Sequence, residues 1–186
     1  MTRFEHPQLY TPSPHKPPPC PTIEVRLVLN NQTIYNLEPL WDVQLYGQIS
    51  RHPQPVSSMD PDGDCGTFIT KQCPGSPEVT HCTGAAGYNC PDPDFMIILI
   101  YDNNVEGFNT AKVAIVRKQD EVDKSYVRHL VKNPNIGAST SHTFFDMGII
   151  KTILNLCGTV SPGAHSIVDF ILTSRSALFL VRFTLS

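Results

Sequence analysis

The chain has 186 residues, 40% of them hydrophobic and 17% charged, which is enough apolar material for one buried core and excludes wholesale disorder. Its formal net charge of −3 supplies no polycationic surface for nucleic acid or an anionic membrane. The charge is uneven, with 5 Lys and Arg against 12 Asp and Glu in residues 1–111 and 9 against 5 in residues 112–186; such a dipole attracts a second copy head to tail unless the fold interleaves the halves.

Residues 1–21 hold seven prolines and no hydrophobic period. Proline fixes φ and lacks an N–H, so "SPHKPPPCP" favours polyproline II over a sheet interior. The segment reads as an extended N-terminal arm whose apolar anchors are Phe4, Leu9 and Tyr10. With so little apolar area it takes a fixed shape only against another surface. Arg3 and Lys16 stand against Glu5, so the arm is no genome-packaging tail. These residues contain no apolar signal-peptide core, and no run approaches the ~18 apolar residues of a membrane span. A virion or cytoplasmic location is therefore expected over classical secretion.

Residues 22–186 read as a single domain. "TIEVRLVLN" (22–30) alternates and predicts a half-buried strand with Ile23, Val25, Leu27 and Leu29 inward. "TIYNL" (33–37) predicts a short return strand. "LWDVQLYGQIS" (40–50) alternates again, with Trp41, Val43, Leu45, Gly47 and Ile49 inward. Residues 51–94 are rich in proline and glycine and read as a large excursion carrying one short strand, "GTFITK" (66–71). "DFMIILIYD" (94–102) is a continuous apolar run, the pattern of a central strand, and "AKVAIVRKQ" (111–119) alternates. Two segments are ambiguous between helix and strand. Residues 120–133 fit both, and residues 144–157 suit a helix closed by Gly158 as well as a strand. "SIVDFILTS" and "ALFLVRFTLS" predict a C-terminal hairpin around Arg175-Ser176. The whole predicts an all-β chain: a β-sandwich, jelly-roll-like or Greek-key, with one or two short helices. An α+β fold is the alternative.

Four of the six cysteines, Cys65, Cys73, Cys82 and Cys90, fall in the excursion with spacing C-x7-C-x8-C-x7-C; Cys20 and Cys157 lie outside it. An even set in a Pro/Gly-rich segment predicts disulfide staples, paired 65–73 with 82–90 or 65–90 with 73–82. The spacing lacks the close pairs of a zinc site. In "MDPDGDCG", Asp60, Asp62 and Asp64 alternate as carboxylates that can converge on calcium, the one cofactor considered. Cys65 and Lys71 stand where an EF-hand has glycine and glutamate. "NQT" makes Asn31 a glycosylation sequon at a turn.

For catalysis, Ser141, His142 and Asp146, and His165, Ser166 and Asp169, contain the residue types of a triad without a nucleophile elbow. No phosphate loop or dinucleotide motif occurs. The loose cation cluster from Lys112 to Lys132 is interrupted by Asp120, Glu121 and Asp123, which fits a solvated face. A non-enzymatic, self-assembling structural subunit of the capsid, fibre or filament kind follows, a homo-oligomer strapped by its arm. The alternative is a disulfide-stabilised sandwich that binds a receptor or glycan.

Overall fold

The computed structural model describes residues 22–71, 81–90, 95–104, 109–117, 122–146 and 150–178. They form ten strands and one helix. The strands are β1 (Thr22–Gln32), β2 (Glu38–Tyr46), β3 (Gln48–Arg51), β4 (Gly63–Lys71), β5 (His81–Cys90), β6 (Phe95–Asn104), β7 (Thr110–Arg117), β8 (Ser139–Asp146), β9 (Ile150–Val160) and β10 (His165–Leu178), and α1 (Lys124–Lys132) lies between β7 and β8. Two sheets face each other, one ordered β3-β4-β1-β10-β9-β8 and the other β2-β5-β6-β7. The fold is all-β and sandwich-like. All pairings are antiparallel except β1 with β10, which run side by side from Glu24↔His165 to Gln32↔Thr173.

Period-two patterning builds the layers. Val25, Leu27, Phe68, Ile97, Leu99 and Phe170 meet between the sheets, all fully buried. β6 is buried on both faces, as its unbroken apolar run requires. Its odd-numbered residues enter the inter-sheet core, while Met96, Ile98 and Ile100 pack under α1 with Ala85, Val127 and Leu130. The helix thus covers the outer face of the four-stranded sheet. Asp123 caps its N-terminus by accepting from the Tyr126 N–H at 2.7 Å. At its C-terminus the Lys112 ammonium on β7 donates to the Val131 and Asn133 carbonyls, satisfying orphan acceptors at the negative end of the dipole.

Several expectations are corrected. Residues 51–94 are not an excursion with one short strand, because β4 and β5 both belong to the core. The small residues of "HCTGAAGYNC" are a strand adapted to large neighbours. Gly87 lies beneath the Trp41 indole, which any Cβ would overlap. Residues 33–36 are a turn, and Leu37 makes only an isolated bridge to Val56. The stretch 40–50 is two strands in different sheets. The chain changes sheet at Gly47, whose φ of +106° is open to glycine alone among ordinary residues. Of the ambiguous segment 144–157, the described residues 144–146 and 150–157 are strand: Leu154 and Leu156 are buried and Cys157 exposed, a period of two. Residues 124–132 of the other ambiguous segment are α1. The hairpin at Arg175-Ser176 is absent, since β10 runs straight through and pairs Arg175 with Ile153.

Candidate functional site

Where β2, β5 and β6 run past the C-terminal half of α1, the sheet and helix diverge and leave a cleft of about 350 Å³. Leu45 and Val131 form its apolar back. Tyr46, His81, Thr83, Asp102, Arg128 and Lys132 line the rest. Thr83 and Asp102 are directly opposed in the β5–β6 register, and the Thr83 hydroxyl donates to Asp102 Oδ1 at 2.6 Å. His81, two residues earlier on the same face, brings Nδ1 to 3.6 Å from the same oxygen. Its ring lies 6.3 Å from that of Tyr46, at 44°. Thr83 is 3% exposed, while the Asp102 side chain keeps 38% of its surface open. The carboxylate is therefore held from below and presented to solvent.

A buried polar layer lies under this edge. Tyr101 is fully buried and gives its hydroxyl proton to Gln44 Oε1 at 2.6 Å. The Gln44 amide in turn donates to the Tyr46 carbonyl and, at 3.6 Å, to Cys82 Sγ. Desolvation pushes the Tyr101 hydroxyl well above the usual phenol range and the Cys82 thiol up to about 11, so both remain protonated at neutral pH. The layer fixes the backbone that carries Tyr46.

The arrangement holds a carboxylate rather than activating a nucleophile. The Thr83 hydroxyl donates to Asp102 but Thr83 is only 3% exposed, so the group the cleft presents to a ligand is the carboxylate, with 38% of its surface open. The two sets of triad residue types do not assemble. Ser141 and His142 are consecutive on edge strand β8 and so point to opposite faces. Ser166 is buried against Asn103, opposite exposed His165 and Asp169.

The other anticipated sites fare differently. Phe4, Leu9 and Tyr10 lie outside the described residues, as does Cys73. Cys65 and Cys82 are free, buried thiols, and burial pushes Cys65 up to about 12. Cys82 and Cys90 sit eight residues apart on one strand, roughly 26 Å at strand rise, far beyond disulfide reach. That separation excludes the 82–90 bond, while the expected 65–73 and 73–82 bonds fall on Cys73, outside the described residues. Asp60, Asp62 and Asp64 do not converge for calcium. Asp60 accepts from the Asp62 N–H, and Asp64 accepts from the Gly66 N–H while pairing with Arg51 at 2.6 Å. Among the described residues no three His, Cys, Asp or Glu side chains gather as a metal site. Asn31 is fully buried. Its amide donates to the Tyr35 and Ser57 carbonyls at 2.8 Å, and its Oδ1 accepts from Thr33 N–H and Oγ1. In the folded chain it is a structural hub, with no exposed amide to carry a glycan.

Sequence reasoning misses the cleft residues because β5 reads as excursion and the α1 cations as a plain solvated face. One signal is there to find: Asp102 closes an apolar run at an outward position.

No helix among the described residues is long and apolar enough to cross a membrane. No protein-family model and no curated protein matches the sequence. Among solved structures the chain is similar to the lipid-binding protein Nakanori, with TM-score 0.56 and 16% identity over 81% of this chain and 71% of that one. It also aligns with the Xerocomus chrysenteron lectin XCL at TM-score 0.44 and 13% identity, over 83% of this chain and 99% of that one. The likeness to Nakanori is one of fold: a two-sheet β architecture shared at an identity too low to carry a ligand across.

Proposed function

We propose that the protein is a non-enzymatic recognition module whose cleft binds a ring polyol of the kind displayed on glycans. The observation that carries this reading is the Thr83–Asp102 bond. It anchors one carboxylate oxygen and leaves Oδ2 with no hydrogen bond among the described residues. A fixed carboxylate accepts from neighbouring hydroxyls, and each hydroxyl still needs donors, which His81, Arg128 and Lys132 supply from around the cleft. Tyr46 offers a half-open ring beside them for the apolar face of a sugar. The volume falls within the ~300–1,000 Å³ usual for small-ligand sites.

Glycan-array binding of the full chain, repeated with Asp102→Asn and Tyr46→Ala, tests the reading. Binding that falls about tenfold or more in both variants supports it; binding unchanged in Asp102→Asn removes it.

Self-assembly through residues 1–21 is a second reading. It is favoured by the open outer face of the six-stranded sheet, where Ile167 and Ile171 are 45% and 43% exposed. Light scattering of the full chain and of a chain lacking residues 1–21 tests it. A monomer in both cases rules it out.

A further inference from the structure

We infer that the polyol bound in this cleft carries an anionic group. The inference rests on the polyol reading and adds a charge to it. The two walls differ in kind. On the sheet wall, Asp102 is flanked by its neutral donor Thr83 and by His81. On the helix wall, Arg128 and Lys132 stand four residues apart, hence on one face of α1, and both line the cleft.

Neither cation has an ion-pair partner among the described residues. The ion pairs found there are Arg51–Asp64, His52–Asp42, His81–Asp102 and His165–Glu24. Arg128 does not close across the cleft onto Asp102, although both line it. Lys112 occupies the helix's terminal carbonyls and so offsets the negative end of the dipole that would otherwise oppose an anion beside Lys132.

A neutral sugar filling this space would desolvate two cations against the single carboxylate of Asp102, leaving positive charge uncompensated, which is unfavourable. A bare anion filling it would meet Asp102. A ring bearing hydroxyls at one edge and a carboxylate, sulfate or phosphate at the other satisfies both walls. The arginine is suited to bidentate contact with any of the three groups. Uronic acids, sulfated sugars and inositol phosphates share this chemistry. The first two come from polysaccharides and the third from lipid headgroups.

The experiment is titration calorimetry of the full chain with matched pairs: galactose against galacturonic acid, and myo-inositol against inositol phosphate. Inorganic sulfate is the third probe. The charged member of at least one pair is expected to bind about tenfold more tightly than its neutral partner. That gap should shrink in the double variant Arg128→Gln/Lys132→Gln and on raising salt to ~0.5 M, with circular dichroism confirming that the variant is folded. Equal binding of charged and neutral partners overturns the inference and leaves the polyol reading standing. A gap that survives the double substitution overturns it too. If sulfate alone binds as tightly as the charged rings and Asp102→Asn has no effect, the polyol reading fails and this inference with it. No binding of any probe also overturns both. Recovery on phosphoinositide-containing vesicles rather than on immobilised pectin or sulfated polysaccharide, or the reverse, assigns the source.

Discussion

The Tyr101 hydroxyl and the Gln44 side-chain carbonyl meet at 2.6 Å inside the sandwich, both buried, directly beneath the strand that carries Tyr46. Tyr101→Phe keeps the ring, which stacks on Phe68 with centroids 4.7 Å apart, and removes only the donor. Gln44 Oε1 is then left buried and unsatisfied, a loss of about 1–3 kcal/mol. Urea unfolding should show that loss with an unchanged m-value, and cleft binding should weaken as Tyr46 loosens.

Asn31 makes four hydrogen bonds from one buried amide, and these tie the turn after β1 to the loop before β4. Asn31→Ala deletes all of them and strands two backbone carbonyls. A destabilisation of about 3 kcal/mol or more is expected from chemical denaturation. Expression in a glycosylating host should leave Asn31 unmodified in folded protein, as peptide mass mapping would read.

Gly47 turns the chain from one sheet to the other at φ +106°, and a Cβ there would collide with the Thr70 hydroxyl and the Ile69 carbonyl. Gly47→Ala combines positive-φ strain with overlap, and a cost of at least ~2 kcal/mol follows. Thermal unfolding measures it. Gly163 also has positive φ, but nothing lies within 4 Å of where its Cβ would stand, so Gly163→Ala carries the strain alone and should cost less.

The thiols give a pH signature. Cys65 and Cys82 titrate at about 12 and about 11 in the fold against an ordinary value of 9.0, because burial disfavours the thiolate. The unfolded chain loses these protons first, so their contribution is whole below pH 9 and is lost as pH rises through 11 to 12. At about 1.4 kcal/mol per unit, Cys82 alone accounts for roughly 3 kcal/mol across that window. The denaturation midpoint should fall between pH 8 and pH 10.5 accordingly, and less so in Cys82→Ser. In native protein at neutral pH a charged maleimide should label exposed Cys157 and spare Cys65 and Cys82.

Strands with clean alternation are legible in the sequence. β1 declares its inward residues correctly, and β6 announces burial on both faces by its unbroken apolar run. Legibility fails where small residues replace large ones. In β5, Gly84 and Gly87 sit under Tyr101 and Trp41, so the apolar mass of that strand's surroundings is supplied by other strands, and periodicity is blind to it. It also fails at Gly47 and Arg175. Period two continues through Gly47 although the sheet changes, and a polar pair in β10 does not interrupt the strand. The cleft is illegible for a related reason. Thr83 and Asp102 are nineteen residues apart, and only the β5–β6 register brings them together.

The parallel alliance of β1 and β10 sets a schedule for biosynthesis. β1 leaves the ribosome long before β10 and must wait for it before its sheet is continuous, because among the described strands β10 alone joins the β3-β4-β1 half to β9 and β8. Contacts of such long sequence separation form slowly. Nascent chains stalled before about residue 165 should therefore expose one flank of β1 to chaperones, and emergence of β10 should be the event that ends that exposure.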